Sequence, residues 1–399
     1  MKSKKPIIIT AVVTFVVTTA FYLTPIGSFI HDSVSKLTTE QDFYDKIHTM
    51  DNLLKTHYIN EYDEQKMQDM ALTGYAAGVG DPYTNYITKE NYDAFIQSMG
   101  GDYKGIGVEV INAEDGSIQI VSVVENSPAK KAGLIIDDKI VAVEGEAVTS
   151  ENYMQMINNI KGVAAAEGDD DVVITVKRGN DIFDLTVVRE VLYISTVSSK
   201  MLSGGIGYLQ ITDFGEHTYE EYTEHLLKLE QNNVKGIIID LRNNPGGMLT
   251  SVVSIADTLL PEGNILTIKN KEGKATEYNS NAECIDIPIC IIVNGASASA
   301  SEVLAGAMHD HGKATIVGEK TFGKGVVQSL VEFGDGSAFK FTSAKYYTPS
   351  GVCIDGVGIS PDVEVALSEE WENTSVSLIP EGEDYQLSVA IDEINKKIN

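Results

Sequence analysis

The order of apolar and polar positions divides the 399-residue chain into five textures. The first is an apolar run from Ile7 to Leu23, interrupted only by threonines and preceded by Lys2, Lys4 and Lys5. Its length is at the short end of the roughly 17–25 residues a membrane-spanning helix needs, and exceeds the core of about 7–15 in a signal peptide. No clean small-x-small cleavage site follows it. The run therefore predicts an uncleaved anchor within residues 1–30, with the basic flank cytoplasmic and the rest of the chain outside. From about 35 to 98, Phe43, Ile47, Leu53 and Leu54 recur at helical spacing, and a second helical stretch ends in a Gly80-Asp81-Pro82 turn. From 99 to 192 the pattern shortens to β runs, "GIGVEV", "IQIVSVV", "KIVAVEG", "VVITVKR" and "FDLTVVRE", interrupted by one helical stretch, "SENYMQMINNI". That is a small β-rich module. From 193 to 365 strands such as "GGIGYLQI", "VKGIIIDLR", "PICIIVNG" and "KATIVGE" alternate with helices such as "TYEEYTEHLLKLEQ" and "MLTSVVSIADTLL". Such alternation predicts a layered α/β core. Residues 366–399 form a short C-terminal segment to which any dimerisation element there is confined.

Charge narrows the list of partners. Asp and Glu outnumber Lys and Arg by 58 to 30, a net charge of −28, and no basic cluster occurs beyond the first five residues. A surface that follows a phosphate backbone needs clustered Lys and Arg, so nucleic acid is excluded as an expected partner. The acidity reads as solubility and self-repulsion. Cys284, Cys290 and Cys353 give no disulfide framework; Cys284 and Cys290 flank an apolar strand and read as buried thiols, with oxidation of one pair as the alternative.

The segment "GEKTFGKGVVQ" (318–328) imitates a phosphate-binding loop up to Lys324. Such a loop needs Ser or Thr after the lysine and then a helix. Here Gly325 follows, and the alternating "VVQSLVEF" predicts a strand. Nucleotide binding is thereby set aside. Upstream, "NGASASASEVLAG" (294–306) reads as strand, small-residue turn, serine and helix. That order exposes a hydroxyl at a helix N-terminus, where backbone N–H groups favour a developing oxyanion; the same serines would also serve as plain N-caps. A serine nucleophile needs a base. His309 lies ten residues into the helix, about 15 Å along its axis, too far to serve. Lysine can act instead when burial leaves it neutral near the working pH, and Gly323 and Gly325 would let Lys324 come close. In the β module, Gly105-Ile106-Gly107-Val108 is a glycine-bearing strand entry whose N–H groups could face a peptide's terminal carboxylate, or form an ordinary turn.

These segments resemble the C-terminal processing (tail-specific) serine peptidases. "NGASASASEVLAGAMHDHGKATIVGEKTFGKGVVQ" looks like their signature. "YAAGVGDPYTNY", "YKGIGVEV", "SPAKKAGLIIDDKIVAV", "GYLQITDF", "IIIDLRNNPGGML" and "KYYTPSGVCIDGVGISPD" look like further family blocks in family order. The resemblance implies a Ser/Lys dyad with Ser299 as nucleophile, Lys324 as general base and Gln328 positioning the lysine. It implies an oxyanion hole from the N–H groups of Ala300 and of Gly246 or Gly247, without metal or cofactor. It also implies a PDZ domain at 99–192 reading substrate C-termini through Gly105, Ile106, Gly107 and Val108, and a crotonase-like α/β peptidase core at 193–365. Two features stand out against this pattern. Lys324 and Gln328 would stand about 13 Å apart on one extended strand, and Lys161 occupies the place of a family arginine, which puts coupling between the PDZ domain and the catalytic site in question. The expected protein is a membrane-anchored endopeptidase acting outside the cytoplasm on protein or peptide substrates, with a homodimer as an option. A non-catalytic PDZ adaptor on a peptidase scaffold is the alternative. An acyl-CoA enzyme, suggested by the crotonase-like core, lacks a basic patch for the nucleotide end.

Overall fold

The computed structural model describes residues 42–398, apart from 101, 114, 163–167, 169, 194, 369, 372–375 and 377–378. The apolar run at 7–23 lies outside the described residues, among which no helix is long and apolar enough to cross a membrane. Two compact units adjoin in sequence at Met70 and Ala71. Helices α1 (Asp42–His57) and α2 (Glu64–Ala77) come first, followed by strand β1 (Asn85–Ile87) and helix α3 (Lys89–Gly100).

The PDZ-like module contains β2 (Asp102–Gly105), β3 (Val108–Asn112), β4 (Ile118–Val123), α4 (Pro128–Ala132), β5 (Lys139–Val143), β6 (Glu146–Ala147), α5 (Tyr153–Lys161), β7 (Asp171–Arg178), β8 (Asp181–Val188) and β9 (Glu190–Tyr193). Its main sheet runs β3-β4-β5-β7-β8, so β3 is an edge strand. Alternating residues of β7, Val172, Ile174 and Val176, point into a core with Ile118, Ile120, Ile140 and Met156, the period-2 burial expected of a one-faced sheet. Lys161 is exposed in the last turn of α5. The end of that helix is held instead by buried Arg189, which donates to the carbonyls of Asn159 and Ile160.

The α/β region that follows is built on a second sheet. It comprises β10 (Val197–Met201), β11 (Ile206–Ile211), α6 (Thr218–Gln231), β12 (Gly236–Asp240), α7 (Leu249–Leu259), β13 (Gly263–Asn270), β14 (Ala275–Ser280), β15 (Ile289–Val293), α8 (Ala300–Asp310), β16 (Ala314–Gly318), β17 (Val326–Glu332), β18 (Ala338–Tyr347), β19 (Val363–Glu364) and α9 (Tyr385–Ile398). The order β10-β11-β12-β15-β16-β19 is parallel throughout except for antiparallel β10. The continuous apolar runs of β12 and β15 follow from burial on both faces. Ile237, Ile239, Ile289, Ile291 and Val293 pack with α6, α7 and α8. Ile238, Cys290 and Ile292 face the other way, onto Leu387, Ala390 and Ile394 of α9. The apolar face of α9 is thus used inside the chain. Burial pushes the Cys290 thiol up to about 12, which leaves it unreactive. Of a further sheet, β1-β18-β13-β14 with β17 on β18, the apolar pattern predicts only β17.

Candidate active site

The loops that follow the parallel strands β11, β12, β15 and β16 all leave at the carboxyl end of the sheet, where open α/β folds place their sites. The loop after β15 carries Ser299, which directly precedes α8 with φ 54° and ψ −111°. A non-glycine residue in that region is strained by about 1–3 kcal/mol. The strain is typical of a strand-to-helix turn that thrusts a nucleophile out of the backbone. Ser299 is partly exposed, whereas Ala298 and Ala300 beside it are buried.

Glu302, one turn into α8, is wholly buried. Its carboxylate accepts from Ser299 N at 2.8 Å and Lys324 N at 2.8 Å through one oxygen. The other oxygen accepts from Thr321 Oγ1 at 2.6 Å and Gly323 N at 2.7 Å. Two backbone nitrogens that share one oxygen lie within two hydrogen-bond lengths of each other. Glu302 therefore clamps the serine turn to the lysine turn. This glutamate has no role among the sequence-based expectations. The signal was present as Ser299-x-x-Glu302, the spacing at which a helix's third residue reaches back to its N-cap N–H.

Lys324 is half-buried. Burial pulls its ammonium below the usual lysine range, nearby Lys340 adds to this, and Glu302 partly opposes it. Its Nζ lies 4.8 Å from the centre of the Tyr83 ring. Asp81 fixes that ring's backbone by accepting from Tyr83 N at 3.0 Å and from Thr84 Oγ1 at 2.6 Å. Tyr83 also went unassigned in the sequence, although "GDPYTNY" contains the Asp-Pro turn that presents it. Beside it opens a cleft of about 620 Å³ lined by Pro82, Tyr83, Val326, Phe339 and Phe341 among others.

Gln328 stands apart from Lys324 in this structure. Strand β17 begins at Val326, beyond Lys324, and a bulge falls between Val327 and Gln328. The two residues therefore do not sit on one regular strand, which removes the assumption behind the 13 Å separation. Gln328 Nε2 is buried without a partner among the described residues. No hydrogen bond joins Lys324 Nζ to Ser299 Oγ or to Gln328 among them.

The loop after β12 supplies the glycine pair. A Cβ on Gly246 would lie 2.7 Å from Ser299 Cβ and 3.0 Å from Ala300 N, and its φ is +111°. Only glycine fits there. Gly246 N donates to Asn244 Oδ1 at 2.8 Å, while the N–H groups of Gly247 and Ala300 make no bond among the described residues. Buried Asn244 also binds the serine turn, its carbonyl accepting from Ala298 N at 3.0 Å and Ser301 Oγ at 3.0 Å. Of the two glycines, Gly247 has the available donor.

The histidines of "HDH" have other work. His309 Nε2 lies 3.2 Å from Asp362 Oδ1, and His311 Nε2 lies 2.8 Å from the Asn264 carbonyl. In the PDZ-like module, Ile106 O accepts from Ala129 N and Gly107 O from Val124 N. Both carbonyls thus turn inward, and the N–H groups of Ile106 and Gly107 have no partner among the described residues. Gly107 has φ +84°, and a Cβ there would meet Ser127 Cβ at 2.3 Å.

A serine on a strained strand-to-helix turn, a desolvated lysine bound to the same carboxylate and unpaired N–H groups alongside are the parts of a serine hydrolase. Comparison with known proteins narrows the class. Residues 205–365 match Peptidase family S41 and residues 105–188 match a PDZ domain. A "Probable CtpA-like serine protease" of Staphylococcus aureus (strain N315) is 36% identical over 362 residues, covering 89% of this chain and 71% of that protein. The protein of the same description from Staphylococcus saprophyticus is 32% identical, covering 95% and 76%. Among solved structures, the photosystem II D1 C-terminal processing protease superposes with a TM-score of 0.51 at 27% identity, covering 84% of this chain and 91% of that one. The chain belongs to peptidase family S41 and is a serine peptidase of the C-terminal processing type with a PDZ domain.

Proposed function

We propose that the protein is a membrane-anchored endopeptidase that cleaves proteins outside the cytoplasm with a Ser299/Lys324 dyad. The observation that carries this reading is the shared carboxylate of Glu302, which ties the backbones of both residues together. Neutral Lys324 takes the proton of Ser299 Oγ as that oxygen attacks the scissile carbonyl. The N–H groups of Ala300 and Gly247 receive the oxyanion. Protonated Lys324 then gives its proton to the leaving amine, and water, deprotonated by the same lysine, hydrolyses the acyl-enzyme. Gln328 orients the lysine once Nζ has left the Tyr83 ring. Substrate tails are recruited by the PDZ domain: the terminal carboxylate meets the Ile106 and Gly107 N–H groups, and the tail extends the sheet at the β3 edge. The basic flank and apolar run at 7–23 support the anchor.

The test is cleavage of an unstructured protein with an apolar C-terminus by the full chain and by Ser299→Ala, alongside labelling with a fluorophosphonate. Cleavage and labelling by the parent alone support the dyad. Tail binding without labelling would instead favour a non-catalytic adaptor.

A further inference from the structure

The loop after β11 brings Asp213 beside the glycine loop, and nothing in the proposed dyad uses it. A Cβ on Gly247 would lie 2.9 Å from Asp213 Oδ1. The two loops are pinned together on either side of that contact, Phe214 N donating to Gly246 O at 2.9 Å and Met248 N to Phe214 O at 2.6 Å. The carboxyl group is therefore held against Gly247, the residue proposed above to donate its N–H to the oxyanion. It is half-buried, and burial pushes it up to about 6, opposed only by the Phe214 N–H. The facing loop, 243–248, carries no titratable side chain, and on its own loop only exposed Glu216 and His217 follow. No cationic side chain among the described residues pairs with it. Buried acids elsewhere are compensated: Asp138 by Arg178, Asp240 and Asp384 by Arg242, and Glu302 by four hydrogen bonds. A desolvated carboxylate without a counterion is costly and marks a place where a ligand can supply the missing charge.

We propose that Asp213 is a specificity-determining residue, receiving the lysine or arginine side chain of a substrate residue that flanks the scissile bond. The proposal rests on the reading of Ser299 and Gly247 as the cleavage site. It assigns the substrate a cationic group close to the reacting carbonyl, something a serine, a lysine and backbone donors do not by themselves demand.

The test uses the full chain and matched peptides carrying Lys or Met at each of the two positions on either side of the cleaved bond. The ratio of kcat/KM for the Lys and Met peptides cancels the titration of Lys324, which is common to both. At the contacting position the ratio favours Lys and rises as pH climbs through about 6, where Asp213 ionises. Asp213→Asn lowers it by roughly tenfold to a hundredfold, the range of one charge-assisted hydrogen bond, and removes its pH dependence. Asp213→Glu retains the preference. Equal ratios in parent and Asp213→Asn would overturn the proposal, as would uniform acceleration of every peptide, which would mean that the carboxylate only opposes the oxyanion. Dissociation constants of the same peptides for Ser299→Ala and for Ser299→Ala/Asp213→Asn give a readout free of catalysis. A Lys preference lost in the double variant supports the proposal even if another nucleophile is at work, and no difference between the two refutes it. Failure of the dyad itself shows separately, as cleavage that survives in Ser299→Ala.

Discussion

Replacing Glu302 by Gln tests whether one carboxylate assembles the site. The substitution keeps shape and volume but turns one oxygen into an NH2 group. Whichever way the amide is oriented, one pair of donors loses its acceptor: either the N–H groups of Ser299 and Lys324, or Thr321 Oγ1 and Gly323 N. Two hydrogen bonds to a charged group are worth roughly 3–6 kcal/mol in all. The neutral amide is cheaper to bury than a carboxylate, which returns part of this, so a net loss of about 2–4 kcal/mol is expected. Chemical denaturation measures it. Because a misplacement of about 1 Å can cost a hundredfold in rate, kcat/KM should fall at least about a hundredfold. A second readout separates electrostatics from misplacement. Glu302 holds the Lys324 ammonium up, so its neutral replacement lets that pKa fall further. The limb of kcat/KM that rises as Lys324 loses its proton then moves to lower pH. Stability within about 0.5 kcal/mol of the parent, together with unaltered cleavage and pH profile, would refute the clamp.

Other variants probe single contacts. Gly246→Ala places a Cβ 2.7 Å from Ser299 Cβ at a φ of +111°; it should lose about 1–3 kcal/mol and abolish fluorophosphonate labelling. Lys324→Met should end cleavage yet raise the denaturation midpoint at neutral pH. Because the folded-state pKa of Lys324 lies below its unfolded value, the parent gains stability as pH climbs from that lowered value toward 10.5; the variant lacks this gain, so its advantage shrinks in denaturation curves at high pH. Arg242→Met leaves Asp240 and Asp384 buried without their cation, costing about 3–5 kcal/mol and exposing the C-terminal segment to an added protease. Gly107→Ala should abolish tail-peptide binding in calorimetry, since its Cβ would sit 2.3 Å from Ser127 Cβ, while labelling of Ser299 persists.

The sequence alone carried the elements whose cause is local. The period-2 runs of the PDZ-like module, the doubly buried "IIID" and "ICIIV" strands and helices 218–231 and 300–310 stand close to where the apolar pattern puts them, because side-chain periodicity is a property of neighbouring positions. Ser299 and Lys324 were legible through their turns: a small-residue ladder before a helix, and a lysine between glycines. Strands β13, β14 and β18 were not, because their burial is mixed rather than alternating and the pairing of β13 with β18, which joins two local hairpins into one sheet, spans segments far apart in sequence. Tertiary structure alone decided which glycine has a donor free, since that depends on Asn244 taking the N–H of Gly246. It alone joined Tyr83 to Lys324 across more than two hundred positions, and Asp213 to the glycine loop. Sequence specifies a residue's chemistry and local conformation; what desolvates and orients that residue comes from segments distant in the chain, brought together only by the packed sheet.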